Sequence, residues 1–184
     1  MGLVEVERLQ EEYDIDVTFA PFYLHPETPP EGMAPRRIVA PDAPPTPTEL
    51  RAENLGIKFT RGRTWSSNSY LSLQAAEFAN EHGDMWRFHR RMFKAYFEDL
   101  EDIGDLDTVV RIGVDAGLDG AELRAALEDG RYREPVDEGI TWSRRIGVTA
   151  IPTFVIDQQY GIVGAQELPA FRQALKEIGH PAKK

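Results

Sequence analysis

The stretch Gly147-Val148-Thr149-Ala150-Ile151-Pro152-Thr153-Phe154-Val155-Ile156 decides how the rest of the chain is read. A glycine stop leads through four residues to a proline, and a β-branched and aromatic run follows at once. Thr153 to Ile156 has strand composition. Proline suits the first residue of a strand, because its missing N–H removes little from the ladder. An X-Pro bond is also the one peptide bond that takes the cis form at modest cost. Trans proline at the head of a strand is the plainer alternative.

C-terminal to this stretch, Gln158-Gln159 is a turn candidate and Tyr160-Gly161-Ile162-Val163 a second strand, so the pair reads as a hairpin. Glu167 to Ile178 follows as a closing helix, with Leu168, Phe171, Leu175 and Ile178 on one face. A short basic tail ends the chain.

N-terminal to it, Thr48 to Ile146 has helical periodicity throughout. Thr48 is expected to cap a short helix ending near Gly56. Ser66 to His82 is a second helix, stopped at Gly83. Asp84 is expected to cap a third, bearing Met85, Trp86, Phe88, Met92, Phe93 and Phe97. Asp105 and Asp119 cap two more, which end at Gly117 and Gly130. The last starts near Arg133, uses Val136, Ile140 and Ile146, and stops at Gly147.

Before the helical block, Gly2 to Tyr13 places Val6, Leu9 and Tyr13 on one helical face, with no N-cap of its own. Ile15-Asp16-Val17-Thr18-Phe19 alternates apolar and polar, which predicts a strand to about Tyr23. Leu24 to Pro47 is rich in proline and reads as a long irregular loop. It is either disordered or a surface excursion packed by Ile38 and Val39.

The bulk properties limit the function. The chain has 184 residues, net charge -10 and no cysteine. That charge repels phosphate backbones, which makes nucleic acid a poor partner. Without cysteine there is no disulfide, thiolate nucleophile or Cys-based zinc site within this sequence. Four histidines, widely spread, offer little for a metal, and no metal or cofactor is expected. No apolar run approaches the roughly 20 residues that span a bilayer. No secretory signal is legible, so a cytoplasmic location is the expectation.

Gly147 to Phe154 resembles the cis-proline loop of thioredoxin-like proteins. Three further stretches resemble the DsbA subfamily called FrnE-like: Pro21-Phe22-Tyr23-Leu24-His25-Pro26 with Pro30-Glu31-Gly32, Met92 to Phe97 before Asp102-Ile103-Gly104, and Gly161 to Gln166. The resemblance implies an α/β, thioredoxin-like fold with an all-helical insertion. Residues 1–47 and 147–184 would form the discontinuous thioredoxin-like domain, and 48–146 the insertion. It further implies thiol–disulfide oxidoreductase or isomerase activity on a thiol or disulfide protein, or on a small-thiol substrate. Homodimerisation is left open. The loop facing the dithiol would bind substrate through Ala150, Ile151, Pro152 and Thr153.

The sequence departs from that pattern at its start. Members carry a strand and Cys-x-x-Cys, then an aromatic, a small residue and Gly, then the first helix. Gly2 and Leu9 match that Gly and helix, so the chain is expected to begin just after the catalytic motif. The first, central strand would then be absent from these residues, and a biological chain longer by roughly 15–25 residues is expected. As written, the sequence holds no catalytic residue of the family.

Two other functions fit the same fold. One is a glutathione-dependent isomerase of the hydroxychromene-carboxylate or kappa-transferase type. Gly164-Ala165-Gln166 stands where that group usually has a Trp-Gly-x-Asp-like signature, which weakens it. The other is a redox-dead module that keeps the cleft for binding a peptide or partner. Among remaining side chains, His82 and His89 read as surface or capping groups rather than ligands, and His25 as packing its loop. Trp65 and Trp86 read as core, and Arg144-Arg145 as a solvated pair.

Overall fold

The computed structural model describes residues 1–36, 38–83 and 85–183. It opens with α1 (Gly2–Glu12), whose buried stripe of Gly2, Glu5, Val6 and Leu9 repeats at helical spacing. Tyr13 closes it with an amide bond back to the Leu9 carbonyl. Residues 14–23 then run without a strand partner.

α2 (Pro47–Asn54) starts at Thr46, not Thr48. The Thr46 hydroxyl accepts the Glu49 amide at 3.2 Å, and the Glu49 carboxylate accepts the Thr46 amide at 2.7 Å. This reciprocal pair needs the Glu three residues after the cap, and only Thr46 has it. α3 (Tyr70–His82) starts four residues later than its periodicity suggests. Ser66 is occupied in a two-residue bridge with Met33, and the Asn68 side chain accepts the Tyr70 amide instead.

α4 (Met85–Phe97) follows; its expected cap, Asp84, lies outside the described residues. In α5 (Leu106–Asp115), Asp105 accepts the Thr108 amide at 2.8 Å. In α6 (Gly120–Glu128), Asp119 accepts the Glu122 amide at 2.9 Å. Each such cap contributes about 1 kcal/mol. α7 (Arg133–Arg145) leads into Gly147, which has a left-handed φ of 84°. β1 (Thr153–Ile156) and β2 (Tyr160–Val163) form an antiparallel hairpin, with Phe154 opposite Ile162 and Val155 opposite Gly161. α8 (Leu168–Glu177) ends the regular structure.

Two buried clusters hold these elements. Phe78, Phe88, Val109, Ile112 and Leu123, all fully buried, fill the space between α3, α4, α5 and α6. Each contributes roughly 1.5–3 kcal/mol relative to solvent exposure. Leu9, Tyr13, Phe171 and Leu175 form the second cluster, between α1 and α8, and Phe154, Ile156 and Ile162 of the hairpin pack against it.

The expected strand at Ile15 to Tyr23 is not formed. Ile15, Val17 and Phe19 are half-buried and Asp16, Thr18 and Ala20 exposed, so the alternation is real. A strand also needs a neighbour, and the sheet among the described residues consists of β1 and β2. Among its described residues, the Pro-rich excursion is not packed by Ile38, which is 69% exposed. Arg61 gathers it instead, donating to the carbonyls of Ala40, Ala43 and Pro44 and to both oxygens of Glu49. Trp65 is not core either: it lies exposed over Gly32.

Candidate functional site

The Ile151–Pro152 bond is cis. Two bonds fix the loop around it: the Thr153 hydroxyl donates to the Ala150 carbonyl at 2.7 Å, and the Gly164 amide donates to the Pro152 carbonyl at 2.8 Å. Ile151 is left half in solvent, at 51% exposure, beside the partly buried Ala150, Pro152 and Thr153. All four residues singled out from the sequence therefore belong to one loop surface.

The N-terminus of α1 packs directly on this loop. A Cβ at Gly2 would lie 2.8 Å from the Phe154 ring and 3.3 Å from the Pro152 ring, so only glycine allows the approach. Met1 stands at the cap position with no side-chain bond. The first-turn amides and the positive end of the helix dipole thus face the Pro152 loop, a setting that favours a negative charge or a thiolate. Burial, with Arg51 nearby, lowers the pKa of the Met1 amine.

A charged pair supports this corner from behind. Glu5 on α1 is buried, with Arg51 at 3.4 Å and Arg8 at 3.5 Å. Arg51 also donates to the carbonyls of Ala165 and Gln166, joining α1, α2 and the hairpin exit. Neither Glu5 nor Arg51 is among the residues singled out from the sequence. The available signal was Glu5 itself, a carboxylate on the stripe of Gly2, Val6 and Leu9. Arg51 had no local signal, because its partners lie 46 and 114 positions away.

The histidines lie apart from this corner. His25 is exposed beside Glu27 at 3.2 Å. His82 stacks on Phe78 and faces Glu122 at 3.6 Å, while the Tyr132 hydroxyl, buried and raised in pKa, donates to Glu81. His89 departs from the surface role expected of it: it lies among Phe19, Phe88 and Phe93, and its Nε2 has no partner among the described residues. Burial lowers its pKa to about 4, so it is neutral at pH 7. Trp86 packs edge-on to the same Phe19. Among the described residues no three ligating side chains converge on a metal-sized site. Nor is any helix there long and apolar enough to cross a membrane.

With no cysteine in the sequence, none of these side chains can exchange a disulfide. The corner presents the exposed Ile151 loop beside the positive end of α1.

Three comparisons bear on this geometry. The family model described as DSBA-like thioredoxin domain matches residues 1–176. The uncharacterized protein YwbO of Bacillus subtilis (strain 168) is 28% identical over 167 residues, covering 89% of this chain and 82% of that one. The crystal structure of a probable DsbA oxidoreductase from Streptomyces coelicolor superposes with a TM-score of 0.66 at 27% identity. That match covers 70% of this chain and 56% of the other, so the alignment spans little more than half of the Streptomyces protein. A candidate protein disulfide isomerase from Nitrosomonas europaea shares the fold, with a TM-score of 0.57 at 15% identity over 74% of this chain and 76% of that one.

Proposed function

This chain belongs to the DSBA-like thioredoxin domain family, with the thioredoxin-like DsbA fold in a mostly helical form, and on that premise we propose that it is the body of a thiol–disulfide oxidoreductase of the FrnE-like subgroup. Its dithiol is carried on a strand outside these 184 residues. Residues 1–47 and 147–184 act as the thioredoxin-like domain and 48–146 as its helical insertion.

The observation that carries this reading is a pair of backbone edges without a strand partner. Among the described residues, no backbone–backbone hydrogen bond involves residues 14–23. In the hairpin, the Gly164 to Pro152 bond marks the alternate pairs Phe154–Ile162 and Ile156–Tyr160 as the bonded ones. Thr153 and Val155 therefore turn their amides and carbonyls away from β2. Ile15 packs on the same α1–α8 cluster as Phe154 and Ile156, so both edges border one layer. Another strand would supply both with matching donors and acceptors in alternation.

In this reading the strand ends at the α1 N-terminus, where dipole and amides hold the first cysteine as thiolate. The thiolate attacks a substrate disulfide, one substrate sulfur leaves as a thiolate, and a mixed disulfide forms. The second cysteine then attacks that bond and releases the reduced substrate. Ala150, Ile151, Pro152 and Thr153 hold the substrate backbone alongside. The 184-residue chain alone is inactive in this exchange, and the working location is the cytoplasm.

Intact mass and thiol titration of the protein from its native source test the proposal. A mass beyond that of the 184 residues with two reactive thiols supports it. A matching mass with no thiol overturns it, and the exposed Ile151 surface is then a binding site of a redox-dead module.

A further inference from the structure

Residues 179–183 bridge three elements without entering either buried cluster. Gly179, with a left-handed φ of 88°, turns the backbone out of α8, and the His180 amide donates to the Leu175 carbonyl at 2.9 Å. His180 Nε2 lies 2.8 Å from Asp157 Oδ2 at the hairpin tip. Three residues on, Lys183 reaches the C-terminal end of α1. Its amide donates to the Glu12 carbonyl at 2.7 Å and its ammonium to the Gln10 carbonyl at 2.6 Å. Carbonyls of a last helical turn lack donors within the helix, and a cation there meets the negative end of the dipole.

Between these two anchors the segment is not packed down. Pro181, Ala182 and Lys183 are exposed, and Pro181 and Ala182 form one side of a hollow of about 400 Å³ whose other side is Tyr13, Pro169 and Lys176. Polar bonds at its two ends therefore hold the segment, with little apolar burial to add to them. Such bonds contribute modestly, and segments held this way open locally while the rest of a protein stays folded. Leu9 and Tyr13, at the same end of α1, belong to the cluster on which the hairpin packs. The α3–α6 cluster has no residue in common with this end of the molecule.

We propose that residues 179–183 are a releasable strap, hinged at Gly179, that closes as one unit on the hairpin tip and on α1. Closed, it caps α1; open, it uncovers the hollow and frees the last turn of α1 while the α3–α6 cluster stays folded. The strap needs no thiol and stands whether or not the redox reading does.

Amide hydrogen exchange on the full chain, followed residue by residue by NMR, tests the proposal. His180→Ala removes only the hairpin anchor, yet it is expected to speed exchange of the Lys183 amide by about tenfold. The Glu12 and Tyr13 amides should quicken with it, while those of Val109 and Ile112 in the α3–α6 cluster exchange as in wild type. Asp157→Gly breaks the same contact from the other side and keeps the left-handed backbone, so it is expected to act alike. Lys183→Pro lacks both donors to α1 and should quicken the Glu12 and Tyr13 amides directly. A Lys183 amide that exchanges at the unfolded-chain rate in wild type overturns the proposal. So does one that keeps its wild-type rate in either His180→Ala or Asp157→Gly, since the two anchors then act separately. Faster exchange at Val109 and Ile112 in these variants also overturns it, because the segment would then belong to the global fold.

Discussion

Arg51 on α2 approaches the buried carboxylate of Glu5 on α1 to 3.4 Å, with the same guanidinium that binds the carbonyls of Ala165 and Gln166. One side chain thus ties the first helix, the end of the Pro-rich excursion and the hairpin exit into a single corner. Removing one partner of a buried pair leaves the other charge without compensation, which costs more than the pair contributes. Arg51→Ala is expected to lower stability by about 2–3 kcal/mol in urea unfolding. Adding Glu5→Met should recover most of that loss. Arg51→Ala within about 0.5 kcal/mol of wild type would show that Arg8 suffices.

Gly2 sets how closely α1 sits on the proline loop. A Cβ there lies 2.8 Å from the Phe154 ring, inside any real contact. Gly2→Val should push α1 off the loop and destabilise by roughly 1–3 kcal/mol. Pro152→Ala, added to Gly2→Val, tests whether the loop or the Phe154 ring resists. Relief by Pro152→Ala would assign the clash to the loop.

His89 gives the chain an acid-side weakness. Its folded pKa of about 4 lies below the ordinary 6.5, because burial disfavours the charged ring. The unfolded chain then binds the proton more readily between those values. Stability is therefore complete above pH 6.5 and falls as pH drops towards 4, by on the order of 3 kcal/mol. His89→Phe should flatten that part of the profile of unfolding free energy against pH. A variant profile parallel to wild type from pH 7 to 4 would contradict this.

Asp157 and Gln158 at the hairpin tip both have left-handed backbone, with φ of 51° and 58°. That turn matches strand twist but suits glycine at its second position. Gln158→Gly should raise stability by about 1 kcal/mol, measured as a higher denaturation midpoint at unchanged slope. A lower midpoint would mean that the Gln158 side chain contributes contacts of its own.

The helices in the middle of the chain are legible in the sequence, because their signals are local. Asp105 and Asp119 meet amides three residues on, and Gly117, Gly130 and Gly147 take the left-handed φ that ends a helix. The hairpin is legible for the same reason. α2 marks the limit of such signals: Thr46 and Thr48 both look like caps, and the choice falls to the carboxylate of Glu49, which reaches back to Thr46.

By itself, then, the sequence determined the helix stops, the hairpin, the apolar stripe of α1 and the absence of any thiol in these residues. Tertiary structure alone decided three things. Val17 and its neighbours do not become a strand, since pairing belongs to two backbones and not to one. His89 became a buried neutral ring, since only the packed helix brings Phe19 against it. Arg51 became the keystone of the α1 corner, since its partners are remote in the chain and meet only once α1, α2 and the hairpin have closed on one another.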